Sequence, residues 1–181
     1  LIYRLAMHAT GLRNSEVRRL QRGAFNLSPA EGERPTVSIH YGSAKNRKAF
    51  TWVIARPLAA DLRAFFQANP AMNTAPAFHT PPREAMAKMV RADLARARCA
   101  WLDEAGDDAE ERQRRERSDF LSDIDSAGRE FDFHSLRVTF GTNCGRAGLP
   151  LTETQRLMRH SSPTLTAGIY MRLSETEIHA G

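Results

Sequence analysis

His134 and Arg137 stand three residues apart, so on a helix an imidazole and a guanidinium share one face. At the start of a helix, unpaired backbone N–H groups would join them, and that combination suits a phosphate. A capping histidine beside a structural arginine has the same spacing. Arg13 lies in Thr10-Gly11-Leu12-Arg13-Asn14-Ser15-Glu16, between two apolar segments. Glu16, three residues on, can pair with it and fix its guanidinium. Lys45 sits in Gly42-Ser43-Ala44-Lys45-Asn46-Arg47-Lys48, a turn from which a long cationic side chain can reach outward. A merely solvated turn lysine fits equally well. His160 ends one predicted helix, and Tyr170 follows on the next. A tyrosine on an apolar helical face is either a core residue or a nucleophile.

The elements that must position these side chains are legible in outline. Leu1, Ile2, Leu5 and Ala9 keep a helical spacing from the first residue with no cap before them. We therefore expect the chain to be a fragment of something longer. Gly11 should end that helix, and Asn14 or Ser15 should cap a second with Val17 and Leu20 on its apolar face. Asn26-Leu27-Ser28-Pro29 reads as a turn. Alternation over Val37, Ile39 and Tyr41, the turn at 42–48 and the segment Phe50–Ile54 predict a β-hairpin. Pro57 should open a helix through Leu62 and Phe66 that stops at Asn69-Pro70. A further helix is predicted over 83–98. Residues 103–130 are dense in charge of both signs and read as a solvated helix or an insertion. A helix runs from His134 through Leu136, Phe140 and Cys144, closed by Gly148. Short helices follow from Pro150 to His160, from Ser161-Ser162-Pro163 through Tyr170, and over 174–179.

Composition narrows the function. The 181 residues carry 26 Lys+Arg against 21 Asp+Glu, a net +5. The excess is concentrated: residues 1–60 hold 10 basic and 3 acidic side chains, whereas 61–130 hold 11 and 14. A polyanion is a fair partner for the first third, and nucleic acid is the commonest one. No apolar run is long enough to span a membrane, and no secretory leader is visible at Leu1–Thr10. Cys99 and Cys144 cannot build a disulfide framework or a four-thiolate zinc site, so a cytoplasmic setting is the default expectation. Asp103, Asp107 and Asp108 have no partner histidines at ligand spacing, which disfavours a metal-dependent nuclease.

Taken together, these pieces resemble the catalytic domain of the tyrosine recombinases, the phage integrase family. The resemblance covers nearly the whole chain. It rests on Thr10–Glu16, on Lys45 in the hairpin turn, and on Phe133-His134-Ser135-Leu136-Arg137-Val138-Thr139-Phe140. Leu157-Met158-Arg159-His160-Ser161-Ser162-Pro163 and Tyr170 complete it. It implies an α+β fold, mainly helical with a small antiparallel β-hairpin or sheet, and one catalytic domain over 1–181 whose N-terminal DNA-gripping domain lies outside this chain. It implies that Arg13, Arg137 and His160 hold a scissile phosphate, with Glu16 supporting Arg13. Lys45 would protonate the leaving 5′ oxygen, His134 would assist proton transfer, and Tyr170 would attack to give a 3′-phosphotyrosine. Double-stranded DNA is the implied partner and no cofactor is implied. The full-length protein would act as a tetramer on DNA, and this fragment would be a monomer or weak oligomer.

Three features depart from the family pattern. Tyr170 lies ten positions after His160, one more than usual. Phe50-Thr51-Trp52-Val53-Ile54 replaces the usual segment after Lys45, leaving Lys48 as a rival acid. The stretch 103–130 reads as an insertion. The residue types nonetheless suit phosphoryl transfer. Two forked guanidiniums and an imidazole can neutralise the charge that gathers on non-bridging oxygens. A phenol with a pKa near 10 must lose its proton as it attacks, and a poor alkoxide leaving group needs an acid. Two other readings share these residues: strand relaxation like that of a type IB topoisomerase, and a cleavage-deficient DNA-binding module.

Overall fold

The computed structural model describes residues 1–40 and 49–168. The expected turn at 42–48, the end of the first strand at Tyr41 and the helix over 174–179 lie outside the described residues, as do Lys45 and Tyr170. The chain divides into two compact units: Leu1–His79 with Leu136–Gly181, and Thr80–Ser135.

In the first unit, α1 (Ile2–Leu5) runs into a π-helical turn, Ala6–Thr10, closed by a hydrogen bond from the Gly11 N–H to the Ala6 carbonyl at 2.8 Å. Gly11 ends it in the left-handed region, φ +58°. Here the glycine is required twice over. A Cβ at this position would lie 2.6 Å from Phe140 Cδ1, so the missing side chain is what lets the Phe140 ring close on the backbone. Helix α2 (Asn14–Val17) follows, and its cap corrects the sequence reading. Arg13, not Asn14 or Ser15, is the N-cap residue. Glu16 reaches back to accept from the Arg13 backbone N–H at 2.7 Å, the acidic half of a capping box.

The hairpin expectation holds as the core of a slightly larger sheet. Strands β2 (Thr36–Ile39) and β3 (Phe50–Val53) pair antiparallel with Val37 opposite Trp52 and Ile39 opposite Phe50. A short strand β1 (Phe25–Asn26), not expected from the sequence, which places Asn26 in a turn, adds to β2 through Phe25 opposite Val37. The order is β1-β2-β3. Val37 and Trp52 are buried, which fixes the register, because a one-residue slip would turn both to the other face. Helix α3 (Arg56–Ala68) carries Pro57 in its first turn and buries Leu58, Ala59 and Leu62. Phe25, Phe66 and Phe78 form an edge-on aromatic group, with centroids 5.3 Å apart for Phe25–Phe66 and 6.3 Å for Phe25–Phe78.

Helix α6 (Phe133–Arg146) ends as predicted at Gly148, φ +74°. The Leu149 N–H donates to the Cys144 carbonyl and the Gly148 N–H to the Gly145 carbonyl, the paired closure of a Schellman motif. Phe140, Cys144 and Met158 form a buried cluster with Leu149 and Leu157 packed against it. Burial pushes the Cys144 thiol pKa up. Helix α7 (Leu151–Met158) opens at Pro150, and a further helical stretch covers 163–168.

In the second unit, α4 (Met86–Asp103) is preceded by a 3₁₀ turn at Arg83–Ala85 and runs five residues past the predicted end at 98. Helix α5 (Ala109–Arg117) gives the charged stretch its structure. Its cap is Asp108, whose carboxylate accepts from the Glu111 N–H at 3.0 Å. Among the described residues no helix is long and apolar enough to cross a membrane.

Candidate active site

Arg13, Glu16, Arg137 and His160 stand on segments that the first unit knits together. Arg137 is only 2% exposed, on the buried side of α6. Its Nη1 donates to the Gly11 carbonyl and its Nη2 to the Met158 carbonyl. One guanidinium thus ties the residue two before Arg13 to the residue two before His160. Local packing explains the reach. Phe140, one turn further along α6, sits against Gly11, and this brings the Arg137 side chain to the Gly11 carbonyl.

Glu16 makes the second tie. It accepts from the Arg13 backbone N–H and from Arg13 Nη1 at 3.2 Å. It also takes both terminal nitrogens of Arg159, Nη1 to Oε1 at 2.8 Å and Nη2 to Oε2 at 2.5 Å. The Glu16 and Arg159 side chains are 11% and 12% exposed, against 43% for Arg13. The forked Arg159–Glu16 pair is therefore the sheltered one, and Arg13 is the arm that faces water.

The segment carrying His160 is held from both sides. Helix α7 ends in a Schellman motif: the Arg159 N–H donates to the Arg156 carbonyl and the His160 N–H to the Gln155 carbonyl. The left-handed residue of that motif is normally glycine, yet here it is Arg159, φ +53°. A side chain there costs roughly 1–2 kcal/mol. The buried Trp52 of β3 donates from Nε1 to the Leu157 carbonyl at 3.0 Å, satisfying one of the carbonyls orphaned at the helix end. The Arg159 guanidinium lies 4.7 Å from the Trp52 ring centroid, within cation–π range. His160 Nδ1 shares a hydrogen bond of 2.8 Å with Thr166 Oγ1, and Thr166 is fully buried. That contact fixes the ring plane and commits one ring nitrogen.

His134 stands exposed in the first turn of α6, three residues before Arg137, at the end of the second unit. Just before it, Asp132 Oδ1 accepts from the Ser135 N–H at 2.9 Å, and Ser135 Oγ accepts from the Asp132 N–H at 3.1 Å. Asp132 and Ser135 thus cap the helix start, so His134 is not needed there. Arg159, Trp52 and Thr166 were not singled out by sequence reasoning. For Arg159 the one local sign was its place beside His160.

A mainly helical unit with a small antiparallel sheet, ordered this way along the chain, is the fold of the tyrosine recombinase catalytic domain. Solved structures bear this out. The crystal structure of XerA recombinase matches with a TM-score of 0.59 at 16% identity, over 95% of this chain and 54% of that one. XerH site-specific recombinase bound to palindromic difH substrate, a post-cleavage complex, matches with a TM-score of 0.62 at 16% identity over 99% of this chain. The XerH pre-cleavage complex with difH matches with a TM-score of 0.59 at 18% identity over 97%. This chain spans 43% of either XerH chain, about half the length of the proteins it matches. No curated protein sequence matches it. The chain matches the Phage integrase family over residues 2–177, and it belongs to that family.

Proposed function

We propose that this chain is the catalytic domain, over 1–181, of a site-specific recombinase that cuts and rejoins double-stranded DNA one strand at a time. Arg13, Arg137 and His160 hold the scissile phosphate. The Tyr170 oxygen attacks phosphorus and the bond to the 5′ oxygen breaks, leaving a 3′-phosphotyrosine. Lys45 protonates the departing 5′ oxygen, and His134 assists proton transfer at the nucleophile. Attack by a second 5′-hydroxyl reverses the step. The covalent link conserves the phosphodiester energy, so resealing needs no nucleotide cofactor. Charge on the non-bridging oxygens is met by guanidinium and imidazole donors, each worth about 10²–10³ in rate.

The observation that carries this reading is the pair of hydrogen bonds from Arg137 to the carbonyls of Gly11 and Met158, which draws the Arg13 and His160 segments to one buried guanidinium. Family membership supplies the rest of the support. The test is a duplex nicked just 3′ of the scissile phosphate, so that the short leaving strand diffuses away. The intact full-length chain should accumulate a covalent adduct, and Tyr170→Phe should give none. A full-length chain that binds the duplex yet never forms adduct is a binding module instead. Relaxation of supercoiled plasmid lacking a specific site would indicate the swivelling enzyme. Affinity should fall steeply with salt, because phosphate contacts release counterions. In the full-length protein a tetramer on paired sites is the working assembly.

A further inference from the structure

We propose that Arg159 is a positioning residue of this site: by neutralising Glu16 it leaves the charge of Arg13 available to an anion, and it locks His160 in place. The proposal rests on the reading that Arg13 and His160 serve a phosphate.

The geometry divides the Glu16 carboxylate unequally. Arg159 takes both oxygens at 2.8 and 2.5 Å, while Arg13 holds one oxygen by a side-chain contact of 3.2 Å. Two guanidiniums and one carboxylate keep one net positive charge, and Arg13 is the exposed member of the three. With Arg159 removed, the counterion of Glu16 among the described residues is the Arg13 guanidinium, and that pair presents a phosphate with no net charge. The carboxylate then lies beside the anion it should not meet. In a sheltered site such a change is weakly screened.

The backbone at Arg159 does the anchoring. A left-handed arginine is an uncommon conformation, retained where surrounding contacts over-determine it. Here the contacts are the forked bond to Glu16, the Trp52 ring at 4.7 Å and the Schellman closure. The next residue is His160. Arg159 therefore joins the α2 cap that presents Arg13, the strand β3 through Trp52, and the histidine itself.

Arg159→Gln and the double substitution Glu16→Gln with Arg159→Gln, made in the full chain, separate charge balance from simple support. Two readouts are taken. One is the single-turnover rate of adduct formation on the nicked duplex. The other is the rise in melting temperature caused by inorganic phosphate, which requires no cleavage. R159Q should lose about 10²-fold in rate and lose the phosphate-induced rise. The double variant should recover about tenfold or more and regain the rise, because the unbalanced carboxylate is gone. A double variant as slow as R159Q overturns the proposal, since loss of a mere support is not repaired by losing its partner. A phosphate rise that is absent from the intact chain, or equal in all variants, also overturns it. If R159Q does not fold, Arg159→Lys keeps the charge and should keep the rise, and its loss there contradicts the proposal. Absence of adduct from the intact chain, with the phosphate rises in the expected order, sinks the cleavage reading and leaves this one standing.

Discussion

Two sets of arginine contacts in this molecule, one local on α5 and one long-range in the first unit, behave as different objects. On α5, Glu111 accepts from Arg114 Nε and Nη2 at 2.6 and 2.7 Å and from Arg115 Nε at 2.7 Å, all within four residues. Arg112 meets Glu116 one turn away at 3.3 Å. In the first unit, Glu16 meets Arg159 across 143 residues of chain, and Arg137 meets Gly11 across 126. The α5 pairs follow from helical spacing alone and stand at least partly in water, where such pairs add little to stability. The long-range pairs are sheltered and exist only if the fold is right. The Arg-rich stretch is thus the more conspicuous in sequence and the less informative about a site.

The largest contrast should come from Arg137→Ala. It strands the carbonyls of Gly11 and Met158 in a buried setting, at about 1–3 kcal/mol each. Urea unfolding should show a loss of several kcal/mol on that basis, with adduct formation abolished. Unchanged unfolding would mean that the buried arginine is not a structural tie. Gly11→Ala should come next, losing about 2–4 kcal/mol by the same measurement, from left-handed strain and the crowding of Phe140. A cost no greater than that of an ordinary surface change would contradict the close approach of α6 to this turn.

Thr166→Val keeps the shape of the side chain but removes the partner of His160 Nδ1. The adduct rate should fall about tenfold, the equivalent of one neutral hydrogen bond, with a displaced pH profile and little change in melting temperature. An unaltered rate and profile would deny the orienting role. The smallest effect belongs to Glu111→Gln, which should leave the melting temperature nearly unchanged. Hydrogen bonds from Arg114 and Arg115 hold the Glu111 carboxyl down to about 2, against an ordinary 4.5. A depressed carboxylate contributes its stability above 4.5 and loses it as pH falls toward about 2. The Glu111 side chain is partly exposed and its partner Arg114 mostly so, and at about 1 M salt the carboxyl titration followed by NMR should move back toward its ordinary value. A salt-insensitive titration would make α5 resemble the buried network after all.

Local physics was readable in the sequence, and long-range physics was not. Gly11 and Gly148 announced helix ends because left-handed backbone selects glycine, and Pro57 announced a helix start. The alternation at Val37 and Ile39 announced a strand. β1 escaped because two residues carry no period and Asn26 is turn chemistry by type. The cap of α2 was misplaced because Glu16 supplies it from within the helix, so the side chain of the N-cap residue itself carries no capping signal. Asp108 with Glu111 three residues later was a readable cap that the charge density masked. The motif residues Arg13, Glu16, Arg137 and His160 were readable as types at spacings. Arg159 was not, because its partner lies at the far end of the chain. Nothing in Met158-Arg159-His160 says that an arginine will take a glycine's conformation.

The point at which DNA becomes attached to the chain tests covalent cleavage most directly. Trypsin should release His160–Arg172 as one peptide holding both the histidine and the tyrosine. After trapping on a nicked duplex and nuclease trimming, fragmentation of that peptide should place the residual nucleotide mass on Tyr170. Attachment at any other residue, or a full-length chain bound to DNA with this peptide always unmodified, would contradict it.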